Sequence, residues 1–468
     1  MIRWMVGPRR GRRLVRAYAG SALLCAAFVV APTEARSEGS VLGSGGLSSG
    51  PTAWGEFRLG AAIDLAFRDS QDVRFKLNHP FPPDFIPPGQ TAVYLETPSS
   101  GGSFEVANVE LSGSADFTPD VAAHVVVRFI DRYDQNPSSN DQVLVREAWL
   151  RLGTKLDTLE PADGTTWFAV LGRASRFSRP PARALESWGL WDTAVGRFEE
   201  DQLQVGGTLG QNLYWRASIA NGNPLFFRDP NALAGDNGTP QRVPGHVDPN
   251  FQSGFPILYD TLPSAVNFDG RFEYGAGVGT RFVTDDRKRG IDLLGWYFQR
   301  QLDASAPIDG SFYGGDLDLL SDDLNLRLPY QGTRKLETGA NLVARLDDLR
   351  LFGQFVYQDI ADLPRQGFEL EASYRFHLDG LFASGDMPVF NWVAPAFRFS
   401  NIDSRYRPPK GFVAPSTAWD WRKYDIGARI GVIRGIDFTV EYARNDAVLF
   451  SGKLLHPDEL LTTVHIAL

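Results

Sequence analysis

Glu56-Phe57-Arg58-Leu59-Gly60-Ala61-Ala62-Ile63-Asp64-Leu65-Ala66-Phe67-Arg68 alternates between two chemistries. Successive side chains of a β-strand point to opposite sides, so Phe57, Leu59, Ala61, Ile63, Leu65 and Phe67 share one face. Glu56, Arg58, Gly60, Asp64 and Arg68 share the other. The two phenylalanines stand ten residues apart. That is roughly 33 Å along a strand, or about 25 Å of membrane normal at a tilt near 40°. A lipid-facing band of a membrane barrel has this height, with an aromatic residue at each rim.

The pattern recurs. Val109, Leu111, Ala115 and Phe117 alternate with Glu110, Ser112, Ser114 and Asp116; Val121, Ala123, Val125, Val127 and Phe129 alternate with His124 and Arg128. Leu203, Val205 and Leu209 face away from Gln202, Gln204 and Thr208, and Phe272, Tyr274, Ala276, Val278 and Phe282 from Arg271, Glu273 and Arg281. Further spans run Leu336 to Leu346, Leu349 to Tyr357, Phe368 to Leu378, Tyr424 to Val432, Ile436 to Tyr442 and Leu460 to Leu468. Ile291 to Arg300 is bulky on both faces, and Trp392 to Phe399 carries Pro395, which weakens a ladder away from its end.

Soluble sandwiches alternate as well, so the connections carry the decision. Thr118-Pro119-Asp120, Gly210-Gln211-Asn212, Thr284 to Gly290, Asp347-Asp348 and Arg434-Gly435 are tight. Between them lie Ser70 to Ser103, Ala174 to Gly196, Asn221 to Asn267, Asp303 to Arg334 and Asn401 to Asp420. Short turns at one end and long loops at the other belong to bacterial barrels. The reading is an all-β chain forming a single transmembrane antiparallel barrel of about sixteen strands with long external loops.

Residues 1–35 read as a signal peptide: Arg3, Arg9, Arg10, Arg12, Arg13 and Arg16 precede an apolar stretch from Ala17 to Ala31, and Thr33-Glu34-Ala35 resembles a cleavage site. Residues 36–53 read as a flexible Gly/Ser-rich leader and 54–468 as the barrel. The first segment carries a net charge of +5, so the remainder goes from −9 to −14. An acidic chain without a basic tract argues against nucleic-acid binding. Cys25 is the one cysteine and lies in the signal peptide, so the exported part holds no disulfide or thiolate metal site.

From Arg146 to Asn223 the chain resembles the phosphate-selective (O/P-type) superfamily of outer-membrane porins. The likeness rests on Arg146-Glu147-Ala148-Trp149-Leu150, Gly172-Arg173 with Phe177-Ser178-Arg179-Pro180, Asp201 to Gly207, and Tyr214 to Asn223 ending Ala220-Asn221-Gly222-Asn223. The resemblance implies a sixteen-stranded, trimeric channel in the outer membrane of a Gram-negative bacterium.

A barrel of this size cannot be filled by side chains and holds water. Porins narrow it with the third external loop, here Ala174 to Gly196. Arg173, Arg176, Arg179, Arg183, Glu186, Asp192 and Arg197 lie in or beside that loop, and charges of both signs across a constriction create a transverse field that favours polar solutes. Lumen-facing wall candidates are Arg58, Asp64, Arg128, Arg132, Glu147, Arg345, Glu371 and Arg375. The signs are nearly balanced, so phosphate selectivity is not carried over.

The functional reading is a porin passing small hydrophilic solutes or ions, surrounded by outer-membrane lipid, with no cofactor, metal or catalytic residue. A solute-specific uptake channel, or an adhesin using the Asn221 to Asn267 loop, is the alternative; a barrel enzyme would need a nucleophile and base together on the outer rim. Gly46-Leu47-Ser48-Ser49-Gly50 fits G-x-S-x-G but lacks the preceding strand of a nucleophile elbow. His124, His377 and His465 read as luminal polar positions, and Asp316, Asp318, Asp322 and Asp323 as a solvated loop.

Overall fold

The computed structural model describes residues 47–52, 55–71, 73–76, 94–96, 101–131, 144–156, 158–179, 183–192, 199–222, 241–242, 252–253, 271–301, 333–360, 363–378, 382–384, 387–405, 420–448 and 452–468. The expected signal peptide and the Asp316 to Asp323 cluster lie outside them.

Sixteen strands form the wall. They are β1 Gly55–Ser70, β2 Gly101–Thr118, β3 Val121–Asp131, β4 Leu144–Gly153, β5 Thr166–Ser175, β6 Glu199–Leu209, β7 Leu213–Ala220 and β8 Glu273–Val283. The second half comprises β9 Arg289–Gln301, β10 Arg334–Leu346, β11 Leu349–Ile360, β12 Leu363–Tyr374, β13 Trp392–Ser404, β14 Asp420–Ile433, β15 Ile436–Val448 and β16 Glu459–Ala467. Each pairs antiparallel with its sequence neighbours, and β1 pairs with β16 from Ala62↔Ala467 to Ser70↔Glu459, which closes the barrel. Beyond that ladder Leu468 N donates to Ala61 O (2.9 Å) and Ala61 N to Leu468 O (3.1 Å).

Closure leaves the lower edge of β1 uncovered, because β16 stops at Ala61 while β1 continues to Gly55. Leu47–Thr52 covers it as a short strand, with Leu47↔Leu59 and Thr52↔Gly55 in register. The end of the leader is therefore paired β-structure, a correction to the flexible reading. The reason is the row of open backbone groups on β1, which need partners. Ser48 sits within this strand opposite Arg58, not at a strand-to-helix turn.

The alternation read from the sequence appears as an inside-out distribution. Outward rows are apolar and open: Val278 is 69% exposed, Ile426 62% and Phe104 78%. Inward rows are charged and enclosed: Arg398 is 1% exposed, and Asp425 and Glu441 are fully buried. An apolar exterior around a charged interior is unstable in water and is what hydrocarbon surroundings select.

Two irregular spans have local causes. β9 is apolar on both faces because its inward Leu294, Trp296 and Phe298 pack beneath neighbouring elements; Phe177 stacks on Phe298 at 4.8 Å. Pro395 lies inside β13, where the ladder to β12 ends at Ser373↔Ala396 and resumes at Phe376↔Val393. The missing N–H thus falls at a break in the pairing. At the β8–β9 turn the Thr284 hydroxyl (2.6 Å) and Lys288 N (3.0 Å) donate to Asp286, which holds that carboxyl below its usual range.

Val278→Arg on the outward face is expected to lower the stability of the barrel in lipid vesicles by about 2–4 kcal/mol, and Ser112→Arg on an inward row by under about 1 kcal/mol. Urea titration of the vesicle-folded protein checks the contrast; equal losses would contradict the facing assigned here.

Candidate functional site: a loop laid across the lumen

After β5 the chain does not leave the barrel mouth. It turns inward, with Arg179 N donating to Arg176 O (3.0 Å), and residues 183–192 cross to the far wall. Backbone N–H groups in such a crossing have no ladder, so they need other acceptors. Inward side chains of the wall supply them. Ala184 N donates to Glu371 Oε1 (3.0 Å) on β12, and Glu186 N and Ser187 N both donate to Glu441 Oε2 (2.7 and 2.9 Å) on β15. Leu190 N donates to Ser400 Oγ (3.2 Å) and Trp191 Nε1 to Asn401 O (3.0 Å), both on β13.

The near end of the crossing is fixed by Arg176. It forms ion pairs with Glu273 on β8 and Glu337 on β10, each at 2.8 Å, and its guanidinium lies 3.8 Å from the Phe298 ring centroid. Lys335 joins the same carboxylates at 2.8 and 3.4 Å. Glu200 Oε2 lies 4.0 Å from Arg176 Nε as a third carboxylate, and such mutual pairing is what a low-dielectric setting demands of buried charges.

The far end is fixed at Ser187. Its hydroxyl donates to Glu441 Oε1 and accepts from Arg398 Nη2 (2.8 Å) and Lys423 Nζ (2.7 Å), so every hydrogen-bonding position on the oxygen is used. Arg398 in turn reaches Asp425 (2.9 Å), Glu371 (3.1 Å) and Glu441 (3.5 Å). Glu186 meets His465 Nε2 at 2.9 Å, and His465 Nδ1 meets Asp64 at 2.9 Å, so one imidazole ties the loop to β16 and β1. Packing adds to this. Gly367 leaves room for the Trp191 ring edge, and Gly189 for the Glu369 carboxylate, where a Cβ would collide.

Arg176, Arg179, Arg183, Glu186 and Asp192 stand on the inward crossing. Arg173 does not. It lies on β5, two residues beyond the outward Leu171 and opposite Asp201, because the strand continues past it to Ser175. Asp64, Arg128, Glu147, Arg345, Glu371 and Arg375 fall on inward rows; Arg58 shares that face near the rim, exposed and paired with Asp116. Arg132 and Arg197 lie outside the described residues.

The sequence reading missed Glu273, Lys335, Arg398, Lys423 and Glu441 as receivers of the loop, and treated His465 as one more polar wall position. Their alternation phase marked them as inward. What they touch depends on which strands face each other across the barrel, and sequence spacing carries no such information.

The two flanks of the crossing differ. Toward β12–β15 its partners are enclosed. Toward β2–β4 the groups other than the buried Glu110 are half-buried: Arg128 meets Glu110, His124 accepts from or donates to Ser114 Oγ (2.8 Å), and Trp149 Nε1 donates to Glu147 (3.0 Å). Arg179 spans the gap, 4.0 Å from Glu147 and 2.9 Å from Glu199. On a third side Arg281 lies 4.5 Å from the Tyr214 ring and Arg216 lies 4.8 Å from it, while Tyr214 donates to Asp292. Among the described residues no group of three or more His, Cys, Asp or Glu is placed to hold a metal ion.

No protein-family model matches the chain, and no curated protein matches it. Solved structures do. The outer membrane channel DcaP of Acinetobacter baumannii aligns at 11% identity over 90% of this chain and 100% of its own, with a TM-score of 0.48. OprB of Pseudomonas putida aligns at 8% identity over 88% and 94% (TM-score 0.48), and Salmonella typhi OmpF in complex with daunomycin at 10% over 89% and 98% (TM-score 0.46). The barrel assignment rests on the strand pairing itself.

Arg398→Met is expected to cost about 3–5 kcal/mol, since it removes the cation shared by the buried Glu371, Asp425 and Glu441 and leaves Lys423, 3.4 Å from Asp425, to offset the cluster. Ser400→Ala, which removes one acceptor for Leu190 N, is expected to cost about 1 kcal/mol. Denaturant midpoints of the two variants in the same vesicles test this; a small loss for Arg398→Met would mean that water already screens the cluster.

Proposed function

We propose that this chain is an outer-membrane porin of a Gram-negative bacterium, exported by the leader at residues 1–35, surrounded by outer-membrane lipid and assembled as a homotrimer. Its barrel encloses a water-filled path for passive diffusion of small hydrophilic solutes or ions, and residues 176–179 and 183–192 form the constriction. The observation that carries the reading is the combination of an apolar outward face with a charged inward face crossed by one anchored loop.

A crossing anchored at both ends divides the lumen without filling it. Solutes must pass beside the loop, where inward charges of both signs stand and hydrated solutes are favoured over apolar ones. No catalytic role is assigned. Arg176, Arg179, Arg183, Glu186 and Arg398 around the crossing are ion-paired, and the reading needs neither cofactor nor metal. Charges of both signs stand on the crossing and on the wall around it, so anion selectivity of the phosphate type is not part of the proposal.

Single-channel recording in a planar bilayer under a salt gradient tests the channel. Stable conductance steps are expected from the refolded wild type. Leu190→Ala combined with Trp191→Ala, which removes the side chains seated against β12 and β13, is expected to raise the conductance and its noise. A demonstrably folded barrel that passes no current would overturn the porin reading.

A further inference from the structure

One side chain of the wall holds the crossing through a proton that it can lose. His465 lies on β16, directly opposite Asp64 on β1 in the ladder that closes the barrel. Its Nδ1 lies 2.9 Å from Asp64 Oδ1, and its Nε2 lies 2.9 Å from Glu186 Oε2 on the loop. The bridge is enclosed: His465 is 7% exposed and Glu186 2%. A carboxylate offers only lone pairs, so each of these contacts needs an N–H on the ring. A neutral imidazole carries one N–H and an imidazolium two. The double bridge therefore exists only while the ring holds both protons.

The groups around the ring favour release of the loop once a proton is gone. On β15, Thr439 Oγ1 lies 3.3 Å from Nε2 and can donate to it when the nitrogen is bare. That bond would stay within the wall and leave Glu186 without this donor. Asp437, opposite His465 on the same strand, is engaged by Arg429 at 2.6 Å. On β2, the uncharged Asn108 stands opposite Asp64. Arg183 lies 3.5 Å from Glu186 and belongs to the loop itself. Asp64 is fixed in the closed ladder, whereas Glu186 is carried by the crossing, so Glu186 is the carboxylate that moves.

We propose that His465 is a proton-dependent latch on the constriction. As an imidazolium it holds Glu186, and with it the adjoining loop, against β16 and β1; its deprotonation in alkaline solution releases that hold. His465 acts through the loop and is a positioning residue. The inference rests on the porin reading and adds to it a control by pH.

The test is the open-channel noise of the wild type in a planar bilayer as the pH is raised from neutral to alkaline. Losing one hydrogen bond between charged groups should raise the population of the loosened loop, and the frequency of its current fluctuations, about tenfold or more. His465→Gln, which carries no charge, should fluctuate at neutral pH as the wild type does in alkali. Glu186→Gln should abolish the rise, because its amide can accept from the protonated ring and donate to the neutral one. Lys423, which donates to Ser187 and to the Trp188 carbonyl, also titrates in alkali and is unchanged in that variant. An undiminished rise in Glu186→Gln therefore overturns the latch and leaves the porin standing, as does a conducting wild type whose noise is independent of pH. If no current flows, the porin reading fails. Nitrogen NMR of histidine-labelled protein then decides the latch by itself, the resonances being assigned by their loss in His465→Gln. Two protonated ring nitrogens at neutral pH that become one in alkali support it, and a single protonated nitrogen at neutral pH overturns it.

Discussion

Backbone hydrogen bonding without water is the constraint on which everything else in this protein depends. In hydrocarbon each N–H and C=O must find a partner within the protein, and for strands this requires a sheet with no free edge. The pairing of β16 with β1 meets the requirement over Ala62 to Ser70. The short strand Leu47–Thr52 meets it where β16 has run out. Closure then assigns every side chain to one of two environments, and the period of two along each strand does the sorting.

Sorting creates a second problem inside. Inward rows rich in Arg, Lys, Asp and Glu would be costly to enclose singly, so they occur as compensated groups. The loop is the partner that completes these groups. Glu441 receives two of its backbone N–H groups, Ser187 joins Arg398, Lys423 and Glu441 through one oxygen, and Arg176 neutralises Glu273 and Glu337. The loop and the wall are thus mutually dependent. Without the loop the wall charges lose ligands, and without those charges the crossing backbone lacks acceptors.

The asymmetry of the lumen follows from the same arrangement. One flank of the loop is sealed by its anchors on β12–β16, and the other faces β2–β4 across half-buried pairs.

The wall was legible in the sequence. Period-two alternation from Glu56 to Arg68 and its repeats, together with connections of alternating length, determine strand number, facing and closure, because all three are local or follow from chain order. The inward position of Arg176, Glu186 and Asp192 was legible only as a loop of unusual charge. Spacing does not reveal where a strand stops, and the strand before the loop runs on through Ala174 to Ser175. The docking of Ser187 among Glu441, Arg398 and Lys423 and the bridge from Glu186 through His465 to Asp64 were decided by tertiary structure alone. They join residues more than two hundred and fifty positions apart in places, such as Glu186 with Glu441 and with His465. Which side chains meet across a lumen depends on the curvature and register of the closed sheet, and no local period in the chain encodes that.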